Sequence, residues 1–180
     1  MKKSAILLVT CIAVICMPAG GRTAETSWKT LLDLADSLSN SAQYDSALVL
    51  ADAALEEVET QLGKDDTVVA VVLDALGAYH YQMADYEPAE ASWKRALSIR
   101  EKVLGPDHVL VAKSLHNLAT LYDDEGRYAE SEPLHLRALA IREKALGPHH
   151  QDVAASLVNL GNLYYHQGRY QEAVRLYQRA

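Results

Sequence analysis

The chain of 180 residues contains no phenylalanine, five prolines, nine glycines and two cysteines. So few turn formers and so few large aromatics argue against a β-sandwich or barrel. Both cysteines, Cys11 and Cys16, lie near the start, so neither a disulfide framework nor a cysteine-based zinc site is available to the rest of the chain. Positive charge is also in short supply. There are 17 Lys and Arg against 24 Asp and Glu, a net charge of −7. A nucleic-acid partner, whose phosphates call for a basic stripe, is therefore not expected. One long uncharged run exists, Ser4 to Met17. It would rise only ~21 Å as a helix, short of the ~30 Å hydrocarbon core of a membrane.

That run reads instead as the apolar part of a secretory signal peptide over residues 1–21. Lys2 and Lys3 precede it, Pro18-Ala19-Gly20-Gly21 follow it, and cleavage is expected before Arg22 or after Ala19. An uncleaved anchor is one alternative. A lipidated cysteine is the other, although Cys11 and Cys16 follow Thr10 and Ile15 where a small residue is usual. Removal of the leader takes both cysteines and two lysines, leaving 15 basic and 24 acidic residues, net −9. The expected location is periplasmic or secreted, with no membrane span after cleavage.

What the chain has in excess is Ala and Leu, 27 and 26 of them, a helical composition. They are arranged with a period of 42. Leu62-Gly63 recurs as Leu104-Gly105-Pro106 and Leu146-Gly147-Pro148, Gly126-Arg127-Tyr128 as Gly168-Arg169-Tyr170, and Ala96 to Lys102 as Ala138 to Lys144. Such self-similarity marks a repeat array. We place copies at 28–69, 70–111, 112–153 and 154–180, the first divergent and the last incomplete. Each copy reads as two helices. In the third, Val111, Leu115, Leu118, Leu121 and Tyr122 form one buried helical stripe. Gly126 ends that helix, and a second runs from about Ala129 to Leu146, stopped by Gly147-Pro148. Small residues recur seven apart on the second helices (Ala47 and Ala54, Ala89 and Ala96, Ser131 and Ala138, Ala173 and Ala180), so that paired helices can approach closely.

Leu115, Leu118-Ala119, Tyr122, Gly126, Tyr128, Ser131 and Ala138 resemble the tetratricopeptide repeat signature, and the 42-residue period is similar to its kinesin light chain type. The resemblance covers residues 28–180. It implies an all-α fold, a right-handed α-solenoid of antiparallel helix pairs, whose first helices line a concave groove for a peptide or protein partner. The sequence departs from the signature at Ala42 and Ala84, where the inter-helix Gly is expected, and at Leu38 and His80 in place of Tyr122. Ala51 stands where the second copy has Trp93. By analogy with the family, the groove residues are Lys113, His116, Asn117, Thr120 and Asp124 in the third copy. In the fourth they are Val158, Asn159, Asn162 and His166, and in the second Asp74, Ala78 and Gln82. Asn117 and Asn159, 42 apart, carry both donors and acceptors. They are expected either to pair with the backbone of an extended peptide or to bridge neighbouring repeats. With Lys113 as the single basic candidate, a clamp of several cations on a C-terminal carboxylate is not expected.

No catalytic residue, cofactor or metal site is expected. HExxH, a phosphate-binding Gly loop and a nucleophile triad are all absent from the sequence. The pairs Asp107-His108 and His149-His150 read as loop residues beside a helix start, and His135 as a packing residue in the place of Trp93 and Tyr177. The expected function is a non-catalytic protein-interaction scaffold. The alternative is the interaction arm of a larger enzyme or signalling protein, since the fourth copy stops short of its full period without a polar cap.

Overall fold

The computed structural model describes residues 25–180, all of which fall in helices or short connections; the expected signal peptide lies outside them. Eight helices follow in order: α1 (Glu25–Asn40), α2 (Tyr44–Leu62), α3 (Thr67–Gln82), α4 (Tyr86–Leu104), α5 (Val109–Asp124), α6 (Tyr128–Leu146), α7 (Gln151–His166) and α8 (Tyr170–Arg179). They pack as four antiparallel pairs stacked in a right-handed all-α solenoid, each helix lying against the next in sequence. The first helices begin 42 residues apart, at 25, 67, 109 and 151, and the second helices keep the same step from Tyr44.

Local chemistry sets the ends of these helices. Gly63, Gly105 and Gly147 close α2, α4 and α6 at φ 85–89° and ψ 157–160°, a region open in practice only to glycine. The first helices are then restarted by side-chain caps. The Asp66 carboxylate accepts from the Val68 amide at 2.8 Å. Nδ1 of His108 and of His150 accept from the Leu110 and Asp152 amides, both at 3.1 Å. His108 and His150 are thus helix caps, each satisfying an orphan amide.

The core follows the leucine stripes. Val111, Leu115, Leu118, Leu121 and Tyr122 are all buried, as are their fourth-copy counterparts Val153, Leu157, Leu160, Leu163 and Tyr164. The small residues of the second helices are buried from Ala47 to Ala173, whereas Ala180 lies beyond the end of α8 and is exposed. Close approach within each pair is matched by volume. A Cβ on Gly77 would sit 2.4 Å from the indole of Trp93, and one on Gly161 would sit 2.6 Å from the Tyr177 ring. The third pair sets Ala119 with the smaller His135, and the first sets Ala35 with Ala51. His135 is a buried packing residue, its Nε2 lying 2.9 Å from the Asp123 carboxylate.

Candidate interaction face

The first helices stand side by side, and their side chains meet across repeats at an offset of 43 residues. Tyr79 donates to Asp36, Tyr81 donates to Asp124, and the Asn159 amide lies 3.4 Å from Nδ1 of His116. Of the two paired asparagines, Asn159 therefore makes the bridging contact. Asn117 is half-buried and makes no side-chain hydrogen bond to another described residue.

The other expected groove residues divide into engaged and open ones. Lys113 is exposed, with Nζ 3.2 Å from Asp74. Thr120 turns its hydroxyl back to the His116 carbonyl at 3.0 Å, a bond within its own helix. Asn162 is exposed and accepts from the Tyr177 hydroxyl at 2.8 Å. His166 stacks near-parallel on Tyr128 and meets Tyr165 edge-on. Val158 is 39% exposed. In the second copy Gln82 is exposed, Ala78 half-buried and Asp74 almost fully enclosed. Tyr165, 56% exposed beside His166, was not singled out from sequence. Its position one residue before His166, two periods on from the groove-side Tyr81, was the available signal.

Asp74 is enclosed because it belongs to a junction between repeats. Arg100, on α4, points both guanidinium nitrogens at the Asp74 carboxylate, at 3.0 and 2.8 Å. Its Nη1 also donates to Ser114 Oγ at 2.5 Å, and Lys113 covers the carboxylate from outside. One period later the same places hold His116, Arg142, Ser156 and Ala155. Arg142 donates to Ser156 Oγ at 2.6 Å but has no carboxylate within ion-pair distance among the described residues. Burial first, then the charge of Arg142 and of the His135 ring, pushes the His116 imidazole down to about 4 against the pull of Asp123. His116 is thus neutral near pH 7 and offers Arg142 no counter-charge. One period earlier the positions hold Leu32, Val58 and Val72, an apolar junction.

A second interlock recurs at the later junctions. Tyr122 donates to Glu90 at 2.7 Å, and Arg127, stacked 4.0 Å over the Tyr122 ring, reaches the same carboxylate at 2.9 Å. Tyr164, Arg169 and Glu132 repeat this at 2.9 Å for both bonds, with the guanidinium 3.7 Å over the ring. The arginine of each Gly-Arg-Tyr turn is therefore a clasp between repeats. At the first junction the corresponding residues are Leu48, His80 and Asp85, which form no such clasp.

Sequence models of the tetratricopeptide repeat match residues 69–110 and 124–180. The chain belongs to the tetratricopeptide repeat family. Repeats of this family act as scaffolds for protein partners. Among solved structures, the chain is similar to BtubC (BKLC) from P. vanneervenii, with a TM-score of 0.82 and 22% identity over 98% of this chain and 70% of that one. The kinesin light chain TPR-like repeats of Podosopora anserina give a TM-score of 0.75 and 20% identity, covering 98% of this chain and 84% of that one. The apo form of RapI gives 0.76 and 18%, covering 87% of this chain and 42% of that one. At these identities the likeness shows the fold. No curated protein matches the chain in sequence. Among the described residues, no helix is long and apolar enough to cross a membrane, and no cluster of potential metal ligands is present.

Proposed function

We propose that this tetratricopeptide repeat chain is an exported, non-catalytic scaffold that holds a peptide or protein partner against its first helices. The observation that carries the reading is the contrast between locked junctions and an open face. Tyr122, Arg127 and Glu90, with their counterparts one period later, fix the stacking. Beside them, on α5 and α7, Asn117 makes no side-chain hydrogen bond to another described residue, and Val158 and Tyr165 stay exposed. An amide among apolar and aromatic groups suits an extended chain, which brings its own backbone donors and acceptors. Export rests on the Lys2-Lys3 start and the apolar run that follows.

Capture from cell-envelope extract with immobilised chain tests the face. A chain carrying Asn117→Ala and Val158→Glu should lose a partner that the parent retains. Leu136→Glu, on an exposed position of the second helix α6, should keep it. Equal recovery by all three chains sinks the assignment. N-terminal sequencing of the mature protein checks export, with Arg22 the expected first residue.

A further inference from the structure

At the turn end of the stack, the first junction is the charge inverse of the second. In the second, an acid stands between two permanent cations. Glu90 meets Lys94 at 2.5 Å and Arg127 at 2.9 Å, and the Tyr122 hydroxyl closes the group. One period earlier, Leu48 replaces Glu90, Asp52 replaces Lys94, His80 replaces Tyr122 and Asp85 replaces Arg127. Both cations have become acids, the central acid has become apolar, and the ring between them is an imidazole. His80 sits in the last turn of α3, where the helix dipole favours positive charge. Its Nδ1 lies 3.4 Å from the Asp85 carboxylate and is buried without a hydrogen-bond partner. Asp52 approaches from α2, its carboxyl raised by burial and drawn back down by the charge of His80.

We propose that His80 is a proton-operated clasp, whose imidazolium bridges Asp52 of the first repeat and Asp85 of the second and locks the first helix pair onto the array. A neutral imidazole donates from one nitrogen only and turns a lone pair on the other, so it cannot serve two carboxylates. Protonated, it donates from both. The groups around it leave this role open. From α2 it faces Asp52, with apolar Leu48 one turn away; from the turn it faces Asp85. On α1, Asp36 is taken by Tyr79, and on α5, Asp124 is taken by Tyr81. Tyr81 in turn separates the Tyr86 ring of α4 from that side. Among the described residues, no base and no second acid lies within ion-pair distance of the His80 ring. The device runs opposite to His116, where burial and the charge of Arg142 resist the proton. Mild acid therefore tightens the first junction while it loosens the third.

A first pair released from the array opens and exchanges its amides, so hydrogen exchange of the purified chain reads the clasp directly. Rates are compared at about pH 7.5 and about pH 5.5, which bracket the imidazole range, after correction for the intrinsic pH dependence of exchange. Protection of α1 and α2 relative to α3 and α4 should rise about three- to tenfold on acidification, the range of two part-exposed ion pairs. His80→Gln, which keeps a neutral polar side chain, should abolish the rise. Asp52→Asn combined with Asp85→Asn should abolish it too, since the imidazole then takes up its proton with no acid to meet. Both acids are exposed and Asp85 caps α4 without a side-chain bond, so this pair of changes leaves the fold intact and decides the matter even where His80→Gln loosens the junction at both pH values. No rise in the parent, or a rise of the same size in the double variant, overturns the clasp. The readout needs no partner, so it stands or falls apart from the proposed binding face.

Discussion

At the scale of single residues, backbone conformation and ring volume make the sharpest claims. Ala42 and Ala84 turn between paired helices at φ 57° and 58°, where the later copies have Gly126 and Gly168 at 72° and 77°. A Cβ in the left-handed region costs about 1–2 kcal/mol, against a smaller entropic penalty for introducing glycine into the unfolded chain. Ala42→Gly and Ala84→Gly should therefore each stabilise the chain by ~0.5–1 kcal/mol in denaturant titrations. Gly77 makes the opposite case. A methyl there would lie 2.4 Å from the Trp93 ring, so Gly77→Ala should cost ~1–3 kcal/mol. Adding Trp93→His recreates the Ala119 and His135 combination that the third pair already uses. A double-mutant cycle should then return a favourable coupling of about 1 kcal/mol or more, and strict additivity would show that the contact carries no strain.

At the scale of helices and their junctions, the chain holds three solutions to one packing problem. Removing one member of a closed buried pair strands its partner, so Asp74→Leu alone should cost ~3–5 kcal/mol. Replacing all three members with the residues of the first junction (Asp74→Leu, Arg100→Val and Ser114→Val) should leave stability within ~1–2 kcal/mol of the parent or raise it. Chemical denaturation of both variants decides this, and a triple variant as weak as the single one would mean that the pair does more than satisfy itself. The contrast also shows what the sequence made legible. The helix pairs, the stripes and the small-residue faces were readable because they are short-range patterns that repeat at a fixed step. Asp74 and His116 were both picked out as groove positions, but their difference in burial depends on Arg100 and Arg142, which reach in from the neighbouring helix. Those arginines recurred in plain view, yet a period alone does not say toward which helix a side chain extends. The 43-residue offset between first helices is likewise a property of the superhelical stack, so the Asn159 bridge to His116 was one of two open readings until the stack was seen.

At the scale of the whole molecule, a linear array has no single core. Its stability is roughly the sum of repeats and junctions, so a perturbed junction opens locally. His116 places such a perturbation at the junction of the third and fourth repeats. Its imidazole takes a proton near pH 6.5 when unfolded and near 4 when folded. The unfolded chain therefore binds more protons between those values. The contribution of His116 is complete above 6.5, falls as the pH drops through that window and is gone below about 4. With allowance for its partial exposure the loss is ~2 kcal/mol. Glu90 acts lower. Its bond to Arg127, aided by Lys94 and Tyr122 against the cost of burial, holds it at about 2, so its contribution is lost as pH falls from about 4.5 towards 2. Acid should therefore loosen the array in spatial order. At pH 5, amides in α7 and α8 should lose hydrogen-exchange protection relative to those in α3 and α4, while the clasp at Glu90 still holds the second junction. In His116→Asn, which keeps a neutral polar group and removes the titration, the pH-dependent part of that difference should vanish. Uniform loss of protection along the array, or the same pH dependence in the variant, would place the acid sensitivity elsewhere than at this imidazole.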